Sequence, residues 1–174
     1  NCNGEPNSNY CDCNYNFNDE CGVCGGDGSS CADSVELNFG NIDGDNGTAE
    51  IIMQNDISIA GFQFVISNTP DYLDLVNVNG GSSNNYNFTI SSSENGSIVG
   101  FSLIGSSIPA GNSSLLTATF DTNLSDPLTV DLCLNDPVFS DDDADGVLVN
   151  LGPCIEMNFS NNLYGDINDD DIVN

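Results

Sequence analysis

The stretch SIAGFQFVISNTPDYLDLVNV, residues 58–78, narrows the possible folds of this chain more than any other. Phe62, Phe64 and Ile66 alternate with Gln63, Val65 and Ser67, the period-two pattern of a strand with one buried face. Asn68-Thr69-Pro70-Asp71 then breaks the strand, because proline fixes φ and Asn and Asp side chains bond to nearby backbone. Leu73, Leu75 and Val76 resume an apolar run. Comparable short runs recur along the chain, split by Gly, Asn, Ser and Pro, and no stretch has a convincing helical period. Val35, Leu37 and Phe39 alternate first, and Ala49, Ile51 and Met53 follow a turn at residues 41–47. After a Gly/Ser/Asn loop at 79–85, strands are expected at 86–91, 97–104, 115–122, 128–134, 147–151 and 155–159. The pattern implies an all-β sandwich or jelly roll.

Charge sets the chemistry. The 174 residues include 27 Asp and Glu and no Lys, Arg or His, a formal net charge of −27. Apart from the N-terminal amine, no group in the chain can pair with a carboxylate, so self-repulsion weakens the compact state unless cations neutralise it. Calcium, a hard cation that favours oxygen ligands, suits so many Asp and Asn side chains. The alternative is an acidic surface whose carboxylates simply stay hydrated. Without His or Lys there is no Ser-His or Cys-His pair, no Schiff-base lysine and no imidazole ligand. Without Lys or Arg, nucleic acid and anionic membranes are repelled, and no apolar run nears the roughly 20 residues of a membrane helix. Only a carboxylate-pair glycosidase remains chemically open. No segment sets two acids on a recognisable scaffold for it, so a non-enzyme is expected.

Eight cysteines without a histidine point to disulfides and an oxidising, extracellular or cell-surface setting. Cys2, Cys11, Cys13, Cys21, Cys24 and Cys31 crowd a polar segment, residues 1–33, that cannot hold a core. Three disulfides among them are expected, with the pairing open. The competing reading is zinc, since Cys21-Gly-Val-Cys24 has ligand spacing. Cys133 and Cys154 stand alone in the sandwich and are expected to pair with each other. The opening residues NCNGEPNSNY are too polar for a signal peptide, which is expected to have been removed if there was one. Asn46, Asn87, Asn95, Asn112, Asn123 and Asn158 each begin an Asn-x-Ser/Thr sequon and are candidate glycosylation sites.

The stretch at 58–78 resembles the opening signature of cohesin modules, with matches at Ile59, Ala60, Gly61, Phe62, Phe64, Pro70, Leu73 and Val76. It departs at Asn68-Thr69, where the family usually has Tyr-Asp before the proline. Residues 104–120 are similar to a later part of the same family, and the likeness spans about Val35 to Met157. It implies a roughly nine-stranded antiparallel jelly-roll β-sandwich at residues 34–160. Asp19 to Cys31 resembles the short Cys-Gly-Asp spacer repeats of large secreted bacterial proteins.

Three acidic segments are candidate calcium sites. Asp141, Asp143 and Asp145, followed by Gly146, have the spacing of the first half of an EF-hand loop, although Gly152 occupies the twelfth position. The tail, residues 161–174, holds Tyr164-Gly-Asp-Ile-Asn-Asp-Asp-Asp-Ile-Val-Asn174, which resembles the start of a type I dockerin repeat. The resemblance implies side-chain ligands at Asp166, Asn168 and Asp170, the carbonyl of Ile172, and Asn174 at the ninth position. Asp171 replaces the usual glycine, and the sequence ends before the twelfth-position acid, so a complete dockerin is not expected. Asp43 and Asp45 form the third candidate, which an ordinary hairpin turn explains equally well.

The expected function is a secreted, calcium-stabilised structural or interaction module that links subunits in an extracellular scaffold or filament. One alternative is a cohesin that binds a dockerin-bearing enzyme of a polysaccharide-degrading complex. Another is a carbohydrate-binding module, weakened by the absence of Trp, with Tyr72, Tyr86 and Phe101 as substitute stacking rings. The expected partner is therefore protein, either another copy or a dockerin, with polysaccharide third.

Overall fold

A computed structural model describes residues 11, 16–18, 24–25, 33–122 and 128–159. The chain divides into two compact units, Asn1–Asp33 and Ser34–Asn174. In the first, Cys11 is disulfide-bonded to Cys24, and Asn18 and Cys24 form an antiparallel bridge. That bond commits Cys24 to a disulfide rather than to zinc. Cys2, Cys13, Cys21 and Cys31 lie outside the described residues.

The second unit holds ten strands and one short helix. They are β1 (Ser34–Asp43), β2 (Thr48–Asn55), β3 (Gly61–Thr69), β4 (Leu73–Asn79), α1 (Gly81–Asn85) and β5 (Thr89–Ser92). Then come β6 (Ser97–Phe101), β7 (Gly111–Thr122), β8 (Leu128–Ser140), β9 (Gly146–Leu151) and β10 (Ile155–Phe159). One layer runs β4-β7-β2-β1-β9 and the other β8-β3-β6-β5, with β10 on the far side of β8. β9 joins the layers, as a hairpin with β8 at Phe139 and Ser140 and as a partner of β1 at Leu148 to Leu151.

The alternation seen in the sequence becomes the core. Phe62, Phe64 and Ile66 on β3 face Val35 and Leu37 on β1 and Ala49, Ile51 and Met53 on β2, all buried in one cluster. The break at Asn68 is also built as expected, with a refinement. Asn68 Oδ1 accepts hydrogen bonds from the N–H of Tyr72 (2.8 Å) and of Leu73 (3.1 Å), while its Nδ2 donates to the Leu73 carbonyl (3.1 Å). Asn68 is where the sequence leaves the cohesin signature, and its amide ties the β3–β4 corner together with a backbone bond from the Tyr72 N–H to the Pro70 carbonyl (3.0 Å).

Several boundaries differ from the sequence expectation, each for a local reason. The 79–85 loop contains α1, five residues long and so too short to show a helical period. Asn87 adopts φ 57°, which keeps Tyr86 and Asn87 out of β5. Ser102 Oγ accepts from the N–H of Ile104 and of Ser106, so β6 ends at Phe101 rather than Ile104. β8 runs to Ser140 because it carries a bulge at Asp136, where φ is 48°. β1 and β9 pair in parallel, the one departure from an antiparallel sandwich among the described strands.

Candidate functional site

Where the sequence suggested calcium, the described turns close on themselves. Asp43 Oδ1 accepts from the Asn46 backbone N–H (3.0 Å) and Oδ2 from the Asn46 side-chain amide (2.8 Å). These bonds to Asn46, with a further one from the Asp45 backbone, hold the Asp43 carboxyl below the usual aspartate value. At the β8–β9 hairpin, Asp141 Oδ1 accepts from the N–H of Asp143 (3.0 Å) and of Asp145 (2.8 Å). Its Oδ1 thus closes an Asx turn. Among the described residues no three acidic or cysteine side chains are grouped to hold a metal ion. Asp166, Asn168, Asp170, Ile172 and Asn174 lie outside the described residues. Asn46, Asn87, Asn95, Asn112 and Asn158 are all exposed, as a sugar transferase would require, and Asn123 is outside the described set.

The two outer faces of the sandwich differ in charge. On the β4-β7-β2-β1 layer, the alternation that buries Leu37 and Ile51 turns Glu36 and Glu50 outward. Asp74 on β4 stands directly opposite Asp121 on β7. Like charges in register destabilise a strand pair, and the sequence as a whole carries a formal charge of −27 with no Lys, Arg or His. Raising NaCl from about 10 mM to 1 M is therefore expected to raise the Tm by about 5 °C, since screening shrinks the Debye length. Differential scanning calorimetry checks this; a Tm that is flat or falls with salt would contradict it.

The β8-β3-β6-β5 face is the opposite. Its outward residues line up in rows, and the first is Ser140, Gly61, Phe101 and Thr89. Val138, Gln63, Val99 and Ser91 form the second row, and Asn135, Val65 and Ser97 the third. None is charged, in a chain of 27 acids. Val138 is 63% exposed and Phe101 42%, and Leu103 and Ile104, just past the end of β6, are more exposed still. Asn135 Nδ2 donates to Ser67 Oγ (2.8 Å), a cross-strand bond that stiffens the third row. Carboxylates return at Asp131, at Glu156 opposite it on β10 and, in the β8 bulge, at Asp136. Sequence reading missed this face because its residues are scattered from position 61 to 140 and only the strand register brings them together.

No protein-family model matches the chain, and neither does any curated protein. Solved structures do match. A non-cellulosomal cohesin from Archaeoglobus fulgidus aligns with a TM-score of 0.52 at 21% identity, over 72% of this chain and 89% of that one. The fold is that of a cohesin module. A cohesin from Acetivibrio cellulolyticus, solved in complex with a dockerin, gives a TM-score of 0.56 at 16% identity, over 72% of this chain and 99% of that one. A type I cohesin in a cohesin–dockerin complex from Clostridium thermocellum gives 0.52 at 15%, over 74% and 94%. In the present cohesin-like sandwich the three charge-free rows fill the β9-side end and centre of one sheet face, and carboxylates on that face begin at Asp136 and at the Asp131–Glu156 pair.

Proposed function

We propose that this chain is a secreted protein-docking module that joins subunits of an extracellular scaffold, receiving its partner on the β8-β3-β6-β5 face. The observation that carries this reading is that face itself. Excluding carboxylates from eleven consecutive outward positions of so acidic a chain, while leaving Val138 and Phe101 exposed, suits a surface that loses its water on contact. A charged rim around an uncharged centre also lets two acidic molecules meet without opposing charges at the contact. The two disulfides among the described residues agree with an oxidising setting.

The proposed occupant is a calcium-binding segment of the dockerin kind; residues 164–174 of this sequence resemble the first part of such a segment. Docking of that segment onto another copy would link chains head to tail, and Asp166, Asn168 and Asp170 would take calcium there. A dockerin on a separate protein is the second reading, favoured because matching cohesins were solved in complex with dockerins. Sedimentation velocity in CaCl₂ and in EGTA tests both. Calcium-dependent species larger than a monomer are expected, and Val138→Asp, which sets a carboxylate in the contact, should weaken association by about 100-fold or more. Monomers in both buffers, together with no binding of an added dockerin module, would overturn the docking function.

A further inference from the structure

A second site lies away from the docking face. Between α1 and the start of β7 there is a cavity of about 380 Å³, lined on one side by Ser82, Asn85 and Tyr86 and on the other by Pro109, just before β7, and by Asn112 and Ser113 on it. Its volume is in the range of small-molecule pockets. We propose that this cavity binds a neutral saccharide, one or two units of a polysaccharide or oligosaccharide chain.

Three observations support that choice of ligand. First, no residue lining the cavity is charged, although the chain carries −27. A cationic ligand would meet no partner there, and an anionic one would be repelled by the molecule as a whole. Second, the wall combines one aromatic ring with amides and hydroxyls. Tyr86 is 38% exposed and offers a flat apolar surface, while Asn85 makes no side-chain hydrogen bond among the described residues and is free to donate and accept. A sugar presents the matching surfaces, an apolar C–H face and a ring of hydroxyls. Third, the floor is incomplete. Ser83 Oγ donates to the Gly80 carbonyl (2.9 Å), but the buried Oγ of its neighbour Ser82 has no hydrogen-bond partner. Unmet buried hydroxyls are rare because they are costly; this one is closed to a water-sized molecule, so a ligand hydroxyl in the cavity would meet it only once the Ser82 side chain rotates outward.

Titration of the unglycosylated full chain with cellotetraose, xylotetraose and mannotetraose tests the proposal, followed by saturation-transfer NMR and calorimetry. Unglycosylated protein is needed because Asn112, in a sequon, itself borders the cavity. At least one probe is expected to bind, with affinity unchanged between low and high salt because the ligand is neutral. Tyr86→Ala should weaken binding about 10-fold and Asn85→Ala about 5-fold. Tyr72→Ala, which removes an exposed ring outside the cavity, should leave it unchanged. Val138→Asp should also leave it unchanged, which separates this site from docking. No binding of any probe at about 10 mM would overturn the proposal, as would equal losses from Tyr72→Ala and Tyr86→Ala.

Discussion

Replacing Phe62 with alanine is expected to lower the unfolding free energy by about 3–5 kcal/mol. The ring is 3% exposed and sits at the centre of an aromatic group. Its centroid lies 6.0 Å from that of Phe64 and 5.8 Å from those of Phe88 and Phe139, stacked against each. Those neighbours come from β3 itself, from the segment before β5 and from β8, so one side chain ties together the whole layer behind the docking face. The same ring explains Gly100, its register partner on β6. A Cβ at position 100 would lie 2.2 Å from Phe62 Cζ, so the ring occupies the space that any other residue would need. Gly100→Ala alone is therefore destabilising. In the Phe62→Ala background the added methyl enters vacated volume, and the double variant should be more stable than the sum of the two losses. Urea unfolding of the four proteins measures that coupling. Additivity within about 0.5 kcal/mol would show that the ring is not held over Gly100.

The features legible in the sequence were those set by local alternation. The spacing of Phe62, Phe64 and Ile66 gave a strand, its buried face and the family resemblance, and Asn68-Thr69-Pro70-Asp71 gave the corner. Features that depend on strand register could not be read this way. Leu115 and Leu116 are adjacent, yet neither is exposed, because the β2–β7 register slips between Ile51 and Ile52 and turns both inward. The docking face was hidden for the same reason. Asp-x-Asp-x-Asp at 141–145 shows the opposite limit, in which one spacing fits a self-closed turn, a calcium loop or both. A carboxylate that can reach a cation can equally reach the amides two and four residues ahead, and Asp141 does so. Of the three rings singled out for stacking, Phe101 lies on the docking face, Tyr86 lines the cavity and Tyr72 stands exposed beside the Pro70 corner.

Removing the Cys133–Cys154 disulfide, by Ser at both positions, is expected to cost about 3 kcal/mol, mainly by freeing the unfolded chain. The bond spans 21 residues and closes the path from β8 through β9 to β10. In that path the chain leaves β9 beside β1, crosses at residues 152–154 and pairs again with β8 at Leu128 to Leu132. The native position of β10 has other supports. Met157 is fully buried, five register pairs join β10 to β8, and the β10 backbone lies so close to Gly44 that a Cβ there would come within 1.7 Å of the Asn158 carbonyl oxygen. The folded sandwich should therefore survive without the bond, with the loss falling on the unfolded side. This gives a specific signature in urea: the midpoint drops while the m-value rises, because an uncrosslinked chain exposes more surface when it unfolds. An unchanged m-value with a large loss of stability would instead place the effect in the native state, with β10 detached. Val138→Asp would separate these cases from docking, since it leaves the bond and β10 in place and should alter association alone.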